Sequence, residues 1–208
     1  MNRVTRTVVG IDVGGDRKGF HAVALRSGAF VATLADRDPA VIVRWCQQQS
    51  ATVVAVDAPC GWSAGGSSRM AERSLAIGAQ KFHCFATPTR ARAKQSRFYA
   101  WVFNGEHLYN QLFKHYALFN GARRAGPACF ETFPHAVVCA LAGRVVAAHP
   151  KRETRPNALR QRGYDVGSLT NVDFVDAALC AVTAAAFARG SYRLFGERNE
   201  GFIVVPAG

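Results

Sequence analysis

The chain has 208 residues, 49% of them hydrophobic and 19% charged, a composition that builds a core and excludes a disordered or low-complexity protein. Its 26 lysines and arginines outnumber 14 acids, for a formal net charge of +12, so polyanions are the expected partners: nucleic acid first, phosphorylated small molecules second. The six cysteines are scattered with no Cys-x-x-Cys pair, which excludes a zinc ribbon and a dithiol redox motif and predicts buried thiols in a reducing compartment, here the cytoplasm.

In chain order, MNRVTRTVVG carries no apolar signal-peptide core. Thr7–Val13 reads as a buried strand with Asp12 at its end, followed by the turn Gly14–Gly19. Gly19–Leu25 is a second strand. Ala29–Leu34 is a third, across the turn Arg26-Ser27-Gly28, and together they make an antiparallel meander. Pro39 opens a helix over Ala40–Gln49. Thr52–Ala58 is rich in valine without polar alternation, as in a central strand parallel to its neighbour after a helical crossover.

Pro59–Gly66 is a loop, and Ser67 or Ser68 is the expected cap of a helix running to about Ile77. Residues 80–126 read as a basic, aromatic insertion with a helix over Glu106–Phe119. Its cations include Arg90, Arg92, Lys94, Arg97, Arg123 and Arg124. Ala128–Phe133 is a fifth strand and His135–Leu141 a short helix. Lys151–Arg162 is basic, with a helix after Pro156. Asn171–Arg189 is the clearest helix, with Val172, Val175, Leu179, Val182 and Ala186 on one face. The apolar stretch Ala177 to Ala188 is too short to span a bilayer, so no membrane association is expected. Phe202–Val205 is a last short strand. The expected architecture is one α/β domain over residues 1–208. It has a mixed five-stranded sheet, three antiparallel strands then parallel ones, flanked by helices, with the helical insertion at about 80–126.

Acids are scarce, so their positions carry information. Asp12 ends the first strand and Asp57 the fourth. Glu131 lies inside the fifth, and Asp173 and Asp176 share a face in the first turns of the long helix. If strands one and four are neighbours, Asp12 and Asp57 meet, and a helix across that edge delivers Asp173 and Asp176 to the same point. Clustered carboxylates repel one another unless cations neutralise them. Hard oxygen donors suit Mg²⁺ or Mn²⁺. Each acid also has a local explanation: an Asx turn for Asp12 or Asp57, a capping box from Thr170 for Asp173, the helix dipole for Asp176, and a solvent-facing edge for Glu131.

The segments GIDVGG…KGFHAVAL, AVDAPCG, RMAERSL…FATPTR, ETFP, DFVDAALCA and EGFIVVP resemble domain-of-unknown-function family 429 from Val8 to Pro206. That family is regarded as predicted nucleases of ribonuclease H-like fold. The opening segment is also similar to RuvC-type and YqgF-type Holliday junction resolvases, which place acids where Asp12, Asp57, Asp173 and Asp176 stand. The resemblance implies metal-dependent phosphodiester hydrolysis on DNA or RNA, with those four aspartates as metal ligands. Glu131 joins them as a catalytic acid through the family's Glu-x-aromatic-Pro motif. Arg69, Arg73 and Arg90 lie in shared motifs, so they are candidate phosphate contacts or partners of Glu72 and Glu131. Arg92, Lys94 and Arg97, interleaved with aromatics, are candidates for tracking a nucleic-acid backbone.

Two other classes remain open. The β-β-β-α-β unit also occurs in the actin and sugar-kinase superfamily, whose phosphate-binding opening resembles GIDVGG. That reading makes the protein a phosphotransferase or ATPase, although 208 residues are few for two such domains. The second is a nucleic-acid-binding protein without catalysis. Gly61-Trp62-Ser63-Ala64-Gly65 matches a nucleophile elbow, but Pro59 separates it from the strand and Gly65-Gly66 delay the helix. The histidines show no metal-ligand spacing, with His83 and His135 the candidates for a proton shuttle.

Overall fold

A computed structural model describes residues 6–82, 84–122 and 125–208; His83, Arg123 and Arg124 lie outside the described residues. The elements follow the expected order at first: β1 (Thr7–Val13), β2 (Phe20–Arg26), β3 (Ala29–Asp36), α1 (Pro39–Gln48) and β4 (Ala51–Asp57). Strands β1 to β3 are antiparallel, and β4 lies beside β1 and parallel to it. Asp38 caps α1 by accepting the Ala40 N–H at 2.8 Å, with Pro39 at the first helical position.

The middle of the chain departs from expectation. After β4 come α2 (Met70–Ser74) and a small hairpin of β5 (Ala76–Ile77) and β6 (Gln80–Lys81). No serine caps α2. Its first amides are taken instead by carboxylates, Arg69 N by Glu72 and Met70 N by Glu200. Then follow α3 (Arg90–Ala93), a 3₁₀ turn at Arg97–Tyr99, and α4 (Ala100–Leu112), which starts and ends earlier than the expected 106–119 helix. The chain leaves α4 to form β7 (Ala117–Leu118), because Ala117 and Phe119 donate to the Pro127 and Cys129 carbonyls.

The last part contains β8 (Ala128–Glu131), α5 (Pro134–Ala142), α6 (Lys151–Gln161), α7 (Val172–Arg189), β9 (Tyr192–Glu197) and β10 (Gly201–Pro206). Helix α6 begins before Pro156 and carries that proline inside it. The expected five-stranded sheet is therefore an eight-stranded one, ordered β3-β2-β1-β4-β8-β10-β9 with β7 also on β8. The surplus of three is β7, the expected last short strand β10, which joins the sheet beside β8, and β9, whose glycine and charged residues hide its strand pattern and which pairs antiparallel with β10.

Helices cover both faces. Alternation along β1 sends Val9, Ile11 and Val13 into a core with α1 and α4, while Val8 packs on the other side with α5, α6 and α7. Among the described residues no helix is long and apolar enough to cross a membrane. The closest approach is at Gly10, where a side chain would overlap the Ala177 carbonyl and the Ala181 amide of α7. Glycine at this point lets the helix lie directly on β1.

Candidate metal centre

The same alternation aims the acids. Asp12 has the parity of Val8 and Gly10, so it faces α7. On β4, Val53 and Ala55 face that side, and so does Asp57. Register puts Asp12 opposite Asp57 on one flank and opposite His21 of β2 on the other. Three side chains therefore stand in a row across the sheet, under the first turns of α7. Asn171 caps that helix through the Phe174 N–H at 2.9 Å, replacing the expected Thr170 cap, so Asp173 and Asp176 are free to face the row. One oxygen each from Asp12, Asp57 and Asp176 lie within 4.8 Å of one another. Asp12, Asp173 and a ring nitrogen of His21 form a second such group.

Burial pushes the Asp12 carboxyl well above its ordinary range, reinforced by Asp57, Asp176 and Asp173. Burial, then Asp176, drives Asp57 up to about 8, although Arg155 and Lys151 pull the other way. Asp176 is raised by burial against the pull of Arg155. His21 is lowered by burial, against the pull of Asp173. Two of the four acids have a direct cation. Lys18 bonds both oxygens of Asp173 at 2.9 and 3.0 Å, and Arg155 makes a buried ion pair with Asp176. Among the described residues, Asp12 and Asp57 have no ion-pair partner. The donor set fits a hard divalent cation: carboxylate oxygens, close together, with two charges left over.

A cavity of about 280 Å³ opens onto this point, lined by the four aspartates with Lys18, Lys151 and Arg155. Phe85, Trp101 and Phe133 form part of its wall. Lys151 and Arg155 share a face of α6 at i, i+4 spacing, so the turn before Pro156 carries both toward the acids. Helix α4 is tied to the turn after β1 by Asn104, which donates to the Gly14 carbonyl at 2.9 Å.

Glu131 lies outside both ligand groups, although with Arg69 and Glu72 it lines the same cavity. Register places it opposite Val56, one residue short of Asp57, so it faces the other side of the sheet. There it is bidentate with Arg69 at 2.7 and 2.5 Å and accepts the Cys60 N–H. Arg69 is fully buried, its Nε goes to Glu72 at 2.9 Å and its Nη1 also to the Glu200 carbonyl at 3.3 Å, so most of its donors are used within the protein. Arg73 is exposed and folds back on Ser68. Arg90 pairs with Glu106 at 2.8 and 2.9 Å and lies over Phe103. Arg92, Lys94 and Arg97 are exposed. Ser63 of the Gly-x-Ser-x-Gly match is buried against Glu200, and His135 sits between the Phe82 and Phe133 rings. Sequence reasoning missed His21, Lys18 and Arg155 at this centre. Only the hairpin register and the position of α6 reveal them.

Residues 10–200 match the family described as Protein of unknown function (DUF429). No curated protein and no solved structure matches the chain.

Proposed function

The chain belongs to the DUF429 family, whose description leaves its activity open, and from the site we propose that it is a divalent-metal-dependent nuclease of ribonuclease H-like fold. One observation carries this reading: Asp12 and Asp57, at the ends of adjacent strands, converge with Asp176 of α7, and the two strand-end acids lack a cation of their own. Three antiparallel strands followed by a parallel fourth support the fold assignment.

Asp12, Asp57 and Asp176 are the ligands of one ion, and Asp12 with Asp173 reaches toward another. Mg²⁺ or Mn²⁺ bound there supplies an activated water and charge neutralisation at the leaving oxygen of a phosphodiester. The chain's own residues do the rest. Strand ends hold Asp12 and Asp57 rigidly. Lys18, Lys151 and Arg155 put positive charge beside the acids, where a substrate phosphate enters. The exposed Arg92, Lys94 and Arg97 provide salt-dependent affinity for the backbone. Glu131 and Arg69 act structurally, by fixing the loop after β4.

The test is single-turnover cleavage of labelled single-stranded, duplex and branched DNA and RNA with Mg²⁺ or Mn²⁺, beside Asp12→Asn. Metal-dependent cleavage that the variant loses is expected. Binding without cleavage of any substrate returns the protein to the non-catalytic class, and ATP hydrolysis instead moves it to the phosphotransferase class.

A further inference from the structure

His21 is a poor fit to the role of an ordinary core histidine. It is 9% exposed, and its Nδ1 is buried with no hydrogen-bond partner among the described residues. Buried polar atoms are ordinarily satisfied, and one that is not costs roughly 1–3 kcal/mol. Its ring packs edge-on against Phe174 at 4.9 Å, which offers no polar partner. A ring nitrogen of the same residue lies within 4.8 Å of carboxylate oxygens of Asp12 and Asp173.

Three elements converge to make this geometry. The β1–β2 hairpin sets His21 opposite Asp12, and the first turn of α7 brings Asp173 across the pair. Lys18 spans both oxygens of Asp173, but its side chain is 62% exposed and can swing into solvent.

We propose that Asp12, His21 and Asp173 form a second metal site of mixed nitrogen and oxygen donors, selective for a transition-metal dication such as Mn²⁺ over Mg²⁺, with Lys18 as its built-in competitor. The inference rests on the nuclease reading for Asp12 as the shared ligand, and it deepens that reading by making the two ion positions chemically unlike. Carboxylates alone suit Mg²⁺. An added imidazole shifts preference toward Mn²⁺ and the later divalent metals. Lys18 gives the second site a threshold: an ion enters only by displacing an ammonium from Asp173.

The experiment is Mn²⁺ titration of the intact chain followed by electron spin echo envelope modulation, which detects ¹⁴N bound to Mn²⁺. Two ions per chain with nitrogen modulation are expected for wild type. His21→Gln and Asp173→Asn, each checked for native circular dichroism, are expected to keep one ion and lose the modulation. Lys18→Met, at an exposed position, is expected to bind the second ion several-fold more tightly. A wild-type spectrum without nitrogen modulation overturns the inference, as does modulation that survives in both His21→Gln and Asp173→Asn. A single oxygen-ligated ion overturns this site alone and leaves the carboxylate centre standing. No bound Mn²⁺ at all overturns both readings.

Discussion

Asp12→Asn separates a metal centre from a merely buried acid. Asp12 belongs to both groups that could hold a metal ion, so its loss removes a donor from each. A ligand present at a hundred times its dissociation constant stabilises a fold by about 2.7 kcal/mol. For a chain of 208 residues, each kcal/mol moves the melting point by about 2–4 °C, so saturating Mn²⁺ raises the wild-type melting temperature by about 5–11 °C. Asp12→Asn is expected to show little of that shift. In the metal-free protein the sign reverses. A carboxyl raised by burial and by Asp57 contributes stability at low pH that is lost as pH rises toward its folded value. Asparagine carries no such loss, so the metal-free variant melts at or above wild type at pH 8. Differential scanning fluorimetry with chelator and with Mn²⁺ measures both effects. A variant that keeps the full Mn²⁺ shift refutes the ligand assignment, and one far less stable than wild type in chelator refutes the repulsion argument.

Asp57 titrates near 8 instead of its ordinary 3.8, so metal-free wild type is expected to lose a few kcal/mol as pH climbs from about 4 to 8, with Mn²⁺ affinity rising over the same range. Asp57→Asn flattens the stability profile, and a melting temperature that rises with pH in wild type contradicts this. Glu131→Gln breaks a buried ion pair with Arg69 and is expected to cost about 3–5 kcal/mol in urea unfolding while leaving the Mn²⁺ shift intact. Loss of the Mn²⁺ shift at unchanged stability would make Glu131 a ligand after all. Changing Arg92, Lys94 and Arg97 together to alanine is expected to lower the slope of log K against log salt by about 0.7–0.9 for each phosphate no longer neutralised, with single-turnover cleavage at saturation preserved. An unchanged slope in filter binding makes these residues a solvated surface.

The strand order around the site was legible because its signals are local. Valine-rich runs ended by Asp12 and Asp57, a proline-started helix between them, and tight turns in the meander need no knowledge of the rest of the chain. The insertion and the C-terminal hairpin were not legible. The strand β7, for which the chain leaves α4 early, depends on hydrogen bonds to Pro127 and Cys129, and β9 interrupts its strand pattern with Gly196 and charged residues. The caps were misread for a related reason. Glu200 supplies a bond to the start of α2 from 130 residues away, which no serine rule anticipates.

Which acids come together turned on register, a property of pairs of strands that one strand's sequence does not contain. Asp12 and Asp57 sit opposite each other and face α7, whereas Glu131 is one residue out of step and faces away. The two buried polar centres that result are built on opposite terms. At one, Glu72, Glu131 and Glu200 each meet Arg69, backbone amides or Ser63, so their charge is met within the protein. At the other, which shares its cavity, Lys18 and Arg155 satisfy Asp173 and Asp176, while Asp12 and Asp57 are raised by burial and by other carboxylates and touch no cation among the described residues. A fold gains nothing in stability from two such groups side by side. Together with Asp176 they could hold one divalent cation, and Asp12 with His21 and Asp173 forms a second group of that kind. The first centre holds the loop that walls the cavity, and the second is the one whose charge a bound cation would offset.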